Sequence, residues 1–134
     1  MELLDKTLSG LLREHARTRP DSNFLIYSDR GLYWTWKEFD RRVDSLAKSF
    51  LAIGLKKGDH IGIWATNVPD WNTALFAAAR IGAVLVTVNT NYKLHELDYL
   101  VKQADLAALI IVDGWRDSDY VAMVNELIPE LKTA

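Results

Sequence analysis

Groups able to grip a substrate crowd into one stretch of this 134-residue chain. Asn89-Thr90-Asn91-Tyr92-Lys93 follows the apolar run 83–88, and a pattern with helical spacing begins at Leu94. Lys93 thus stands just before an expected helix start, where backbone amides and the helix dipole favour an anion. The Asn-Thr-Asn wording also suits a plain turn, because such side chains bond nearby backbone. Two readings stay open: a corner that needs no ligand, and a corner whose Lys93 faces a phosphate. His95 falls in the first turn of the same helix. Glu96 and Asp98, two apart, point to different faces, so they read as solvated helix charges rather than an acid/base pair. Asp113 and Asp117 are further carboxylates without a partner at a telling spacing.

Other constellations are incomplete. Gly54-Leu55-Lys56-Lys57-Gly58-Asp59 is one residue short of a phosphate loop and carries Asp where Lys is required. A helix stop and a turn account for it. No Gly-x-Gly pair occurs, and no serine sits in a Gly-x-Ser-x-Gly elbow. His15, His60 and His95 are far apart and lack metal-ligand spacing. His15 reads as solvated on a polar helix face, and His60 as the start of a strand edge. Cysteine is absent, which removes thiol nucleophiles and disulfides and is compatible with the cytosol. A net charge of -2 without a dense basic cluster gives no reason to expect nucleic acid. No apolar run approaches the ~20 residues that span a bilayer, and the first five residues lack a signal-peptide pattern. The expectation is a cytoplasmic protein with no transmembrane segment. The five tryptophans, Trp34, Trp36, Trp64, Trp71 and Trp115, read as core or subdomain packing.

The elements that must position these groups alternate. Thr7 can cap a helix with the stripe Leu8, Leu11, Leu12 and Ala16, stopped at Arg19-Pro20-Asp21. Residues 24–27 and 32–34 predict a hairpin turned by Asp29-Arg30-Gly31. Thr35-Trp36-Lys37-Glu38 is a capping box, opening a helix that ends at Gly54. A strand over 60–65, a helix opened by Asn67-Val68-Pro69-Asp70 and running to Ile81 with Gly82 as its stop, a strand over 83–88 and a helix over 94–104 follow. A strand over 107–112 and a last helix capped by Asp117-Ser118 and disturbed by Pro129 complete the chain. Apolar strands separated by helices are the pattern of βαβ units. The predicted class is α/β: a mostly parallel three-layer sheet with flanking helices, preceded by a helix and a β-hairpin.

In order and spacing, these pieces resemble the amino-terminal segment of AMP-forming acyl-CoA synthetases, in the adenylating superfamily that includes luciferase and adenylation domains. The resemblance is carried by Thr35-Trp36-Lys37-Glu38-Phe39, by Gly54 to Asp59, and by Asn67-Val68-Pro69-Asp70-Trp71. It continues through Ala78-Ala79-Arg80-Ile81-Gly82-Ala83-Val84, Val88-Asn89 and Glu96-Leu97, to Glu126-Leu127-Ile128-Pro129-Glu130-Leu131. The wording from Val88 to Val101 is closest to the fatty-acyl branch. The resemblance implies that residues 1–134 are the N-terminal part of the AMP-binding large domain. The family's phosphate loop and catalytic lysine fall beyond residue 134 in that alignment. ATP, Mg2+ and coenzyme A are implied for the parent enzyme, with a fatty acid or other carboxylate as substrate and none of the three bound by this piece alone. Asn91, Tyr92 and Lys93 match a family position near the coenzyme A side, although Asn89-Thr90 departs from the commoner Asn-Pro wording. The implied partner is the remainder of the same enzyme. Apolar surface meant for that remainder predicts self-association. The rival expectation is a stand-alone binding or assembly module with the same fold and no chemistry.

Overall fold

The computed structural model describes residues 5–133, with side chains described through Leu131. Residues 1–4 and 134, which bear on the expected lack of a leader and on the end of the chain, lie outside them.

Local chemistry starts each element much as its wording predicts. Thr7 caps α1 (Leu8–Thr18), its Oγ1 accepting from the Gly10 amide at 3.0 Å. β1 (Asn23–Tyr27) and β2 (Leu32–Thr35) pair antiparallel, and Gly31 takes the left-handed φ of 58° that their tight connection needs. The Thr35 capping box is reciprocal. The Glu38 amide donates to Thr35 Oγ1 at 3.2 Å, and the Thr35 amide donates to Glu38 Oε2 at 2.9 Å. The Thr35 amide, followed by the Thr35 hydroxyl, holds the Glu38 carboxyl below its usual range, and the box starts α2 (Trp36–Ala52).

β3 (His60–Trp64), β4 (Val84–Thr87) and β5 (Leu106–Ile111) form one parallel sheet in the order β4-β3-β5. α3 (Pro69–Ile81) connects β3 to β4, and α4 (Leu94–Gln103) carries the chain across to β5. His60 was expected at a strand edge; it begins the central strand instead. β5 returns on the side of β3 away from β4, so neither side of β3 is free, and His60 Nδ1 lies 2.5 Å from the Ala104 carbonyl oxygen.

Successive strand side chains point to opposite faces, and each face has its own cluster. Ile61, Leu85, Ala108 and Ile110 pack on the side of α1, α2 and α3, with Leu12, Phe39, Val43, Phe50 and Ala77. Trp64, Leu109 and Ile111 pack on the other side with Val88, Leu97 and Tyr120. Helices therefore cover both faces, and the α/β class holds. Gly62 is required by close approach rather than by its dihedral angles. A Cβ there would lie 2.6 Å from a Leu106 methyl and 2.7 Å from a Leu109 methyl.

Two further expectations fail for tertiary reasons. The last helix, α5 (Tyr120–Leu127), is capped by Asp119, which accepts from the Ala122 amide at 2.8 Å. Asp117 and Ser118 are engaged elsewhere, in a small hairpin of β6 (Gly114–Trp115) and β7 (Ser118–Asp119). His15 is half-buried rather than solvated, its ring 4.6 Å from that of Trp36 and its Nδ1 accepting from Arg19 Nε at 3.2 Å.

The polar tie of the first cluster is Arg80, whose side chain is 7% exposed. Its Nη2 meets Asp40 Oδ1 at 2.5 Å, its Nη1 donates to the Asp40 carbonyl at 3.2 Å, and its Nε donates to Ser9 Oγ at 3.1 Å. One guanidinium thereby joins α1, α2 and α3. No described helix is long and apolar enough to cross a membrane. Arg80→Ala should strand Asp40 beside the core and cost about 3 kcal/mol. Urea unfolding would measure it, and a loss below that of an exposed ion pair, such as Lys102 with Asp98, would contradict this role.

Candidate functional site

Because the connections leaving β3 and β4 run in opposite directions across the sheet, the loops at the carboxyl ends of the strands diverge. A cleft opens there, as expected at a switch point of an open α/β sheet. It encloses about 510 Å³ and is lined by Ala65-Thr66-Asn67 after β3, by Thr90 and Asn91 after β4, by Trp115 and Arg116 on the small hairpin, and by Arg30 from the β1–β2 turn.

Its character is polar and cationic. Arg116 sits 5.7 Å from the centre of the Trp115 ring, and Arg30 5.8 Å from that of Tyr27. Arg30 has a loose contact of 3.9 Å with exposed Asp29. Arg116 has no ion-pair partner among the described residues. Its backbone is left-handed, with φ 54°, a conformation that costs an L-residue about 1 kcal/mol. Two guanidinium groups, two carboxamides and an indole that is 42% exposed are groups that recognise phosphate and a flat ring.

The three residues singled out in the turn part company. Asn91 lines the cleft, its amide bonded at 2.9 Å to Asn89 Oδ1. Tyr92 turns toward the second core cluster and lines a separate groove of about 350 Å³ along α4, with His95, Glu96 and Tyr99. Lys93 reaches back to the hairpin, where Nζ meets Ser118 Oγ at 2.6 Å and Asp117 Oδ1 at 3.2 Å. That contact, chiefly, holds the Asp117 carboxyl below its usual range. Glu96 accepts from the Lys93 amide at 3.1 Å and so helps start α4, and Asp98 pairs with Lys102 at 2.7 Å. Among the described residues no group of three His, Cys, Asp or Glu is placed to hold a metal ion.

Beneath the cleft lie two stacked rings. Trp64 and Tyr120 are both fully buried, with centroids 3.6 Å apart and planes 9° from parallel. Trp64 Nε1 donates to the Asn89 carbonyl at 3.0 Å, and Tyr120 Oη donates to the Thr90 carbonyl at 2.6 Å. Burial pushes the Tyr120 phenol up, so it stays a donor. Trp64 thus fulfils the packing expectation, whereas Trp115, 42% exposed at the cleft, departs from it, and Arg116 and Arg30 were not singled out as site residues by the sequence. A Trp-Arg pair just past an apolar strand was their one local signal.

Residues 12–134 match the family described as AMP-binding enzyme. The chain belongs to that family. Bacillus subtilis (strain 168) YngI, named as an acyl-CoA synthetase, is 50% identical over 133 residues, covering 99% of this chain and 24% of that protein. The mitochondrial medium-chain acyl-CoA ligase ACSF2 of Danio rerio is 31% identical over 98% of this chain and 22% of its own length. A crystal structure from Rhodopseudomonas palustris CGA009, described as a long-chain-fatty-acid CoA ligase, superposes with a TM-score of 0.82 at 25% identity. That match covers 96% of this chain and 31% of the other. The chain therefore spans about a quarter of the curated relatives it matches, and its fold is that of the amino-terminal part of such enzymes.

Within this family member, the strained Arg116 backbone offers a clean probe of the cleft. Arg116→Gly relieves the left-handed cost but adds unfolded-state freedom of similar size. Stability should stay within about 1 kcal/mol of the unsubstituted chain, whereas Arg116→Val should lose about 1 kcal/mol more. Thermal unfolding of the pair checks this, and equal midpoints for the glycine and valine variants would contradict the strain.

Proposed function

We propose that this chain is the amino-terminal part of the large domain of an ATP-dependent fatty-acyl-CoA synthetase. In the complete enzyme a carboxylate attacks the α-phosphate of ATP to give acyl-AMP and pyrophosphate, and the coenzyme A thiol then displaces AMP to form the thioester. Residues for ATP and Mg2+ are assigned to the remainder of the enzyme. The fatty-acid preference rests on the wording of residues 88–101 and on the names of the relatives.

The cleft is the part of this chain suited to one of those reactants. Coenzyme A carries phosphates on an adenine nucleotide, and the carboxyl-end cleft presents Arg30, Arg116, Asn67, Asn91 and the Trp115 ring together. That convergence is the observation that carries the reading. Asn91 would contact the nucleotide end directly. Lys93 would act through Asp117 and Ser118, which already hold its ammonium, and Tyr92 through its packing. The remainder of the enzyme is the partner that would cover exposed Leu51, Ile53 and Val84. Left bare, the same groups favour self-association.

This reading departs from the expectation that none of ATP, Mg2+ and coenzyme A is bound by this piece alone, and calorimetric titration of the 134-residue chain with coenzyme A tests it. Binding should weaken by about tenfold or more in Arg116→Gly, since a charged hydrogen bond contributes about 1.5–3 kcal/mol, and Arg30→Gln should act in the same direction. Equal affinity in all three proteins would remove the cleft from the reading. With ATP, Mg2+, coenzyme A and a fatty acid the chain alone should yield no acyl-CoA. Measurable turnover would overturn its assignment as a part.

A further inference from the structure

The two walls of the cleft, the turn 89–93 and the hairpin 114–119, come from different βα connections, and nothing in the sheet joins them. Side chains do. Tyr120, the residue after the hairpin, spends its one hydroxyl on the Thr90 carbonyl at 2.6 Å. Lys93 crosses the other way, from the turn to Ser118 and Asp117 at 2.6 and 3.2 Å. From below, Trp64 Nε1 donates to the Asn89 carbonyl at 3.0 Å, and the same oxygen accepts the Tyr92 amide at 3.0 Å. Two fully buried rings, stacked on each other, therefore place their polar atoms on consecutive carbonyls of one surface turn. Buried donors must be paired, but a carbonyl deeper in the core would have met that need equally well.

We infer that Tyr120 is a positioning residue, which with Trp64 and Lys93 clamps the Asn89–Lys93 turn to the Trp115–Arg116 hairpin and so sets the separation of Asn91 from Arg116. With the Thr90 and Asn89 carbonyls pulled inward, the Asn91 side chain is presented at the cleft. The identity of the ligand rests on the coenzyme A reading above; the clamp itself does not.

Tyr120→Phe keeps the ring and its stack and deletes the one bond between the walls that comes from the core. In the 134-residue chain, hydrogen exchange at the Asn91 and Tyr92 amides should speed up by about fivefold, the loss of one ordinary hydrogen bond. The amides of β3 should keep their rates. Coenzyme A affinity should fall by a similar factor. Lys93→Ala should reproduce the effect on the turn, and Lys93→Arg should restore the slow exchange. Unchanged exchange in the turn overturns the inference, and so does acceleration shared equally by β3, which would mark a general loss of stability. If the unsubstituted chain fails to bind coenzyme A, the cleft reading falls. The exchange rates then still decide whether Tyr120 positions the turn.

Discussion

Everything else in the fold answers to the fact that β3 must be covered on four sides. Its residues from Ile61 to Trp64 are buried, with a parallel neighbour on each edge and helices over each face. A parallel neighbour cannot be reached by a tight turn, so each needs a crossover. α3 supplies one, and α4, running past β3, supplies the passage to the other side. Covering the second face with leucines brings Leu106 and Leu109 so close that position 62 has no room for a side chain. The same opposed crossovers separate the loops at the carboxyl ends. The cleft is thus a by-product of protecting the central strand.

Polar atoms carried into that protected interior explain why core and cleft are coupled. A donor left unpaired in the core costs about 1–3 kcal/mol. Arg80 meets this need inside the helical layer, where its nitrogens reach Asp40 and Ser9. Trp64 and Tyr120 meet it at the surface turn. Their rings belong to the second cluster while their polar atoms end on the wall of the cleft. A change in the packing of that cluster is therefore felt at Asn89 and Thr90 before it is felt at Arg80.

Features written in a few adjacent residues were legible. The Thr7 and Thr35 caps, the Gly31 hairpin and the Pro69 helix start need no information beyond one turn of chain. The three apolar runs became the three strands with ends shifted by a residue or so, as at Leu106. Features that needed a distant partner were not legible. Ser118 and Asp117 look like a helix cap until Lys93 claims them, and the cap then falls to Asp119. His60 looks like an edge until β5 arrives beside it. Arg30 and Arg116 lie on separate hairpins and meet at the cleft through topology alone. Arg116 is doubly hidden, because a left-handed turn position calls for Gly or Asn, so its type points away from its conformation. Among the residues of the opening turn, spacing suggested Lys93 as the cation. In the structure its ammonium meets Ser118 and Asp117, and Arg30 and Arg116 line the cleft.

The distribution of exposed groups separates two kinds of surface. At the carboxyl ends of the strands the exposed groups are amides, hydroxyls, guanidiniums and one indole, beside a turn held by hydrogen bonds from the core. Elsewhere large apolar groups face outward: Leu51 and Ile53 at the end of α2, Val84 at the start of β4, and the cross-strand pair Ile26 and Tyr33 on the hairpin. Among the described residues β4 also has no strand beyond it in its sheet, and its sequence is apolar, without charge or proline, a state that proteins ordinarily manage by covering or pairing the strand. A stand-alone binding module would have reason to protect such an edge. For a part of a longer enzyme, one that spans about a quarter of its relatives, the bare edge and the outward apolar groups are surfaces for further protein. The polar end is the surface we propose for a reactant. On this argument the exposed edge, rather than any missing motif, is the physical ground for favouring the larger enzyme.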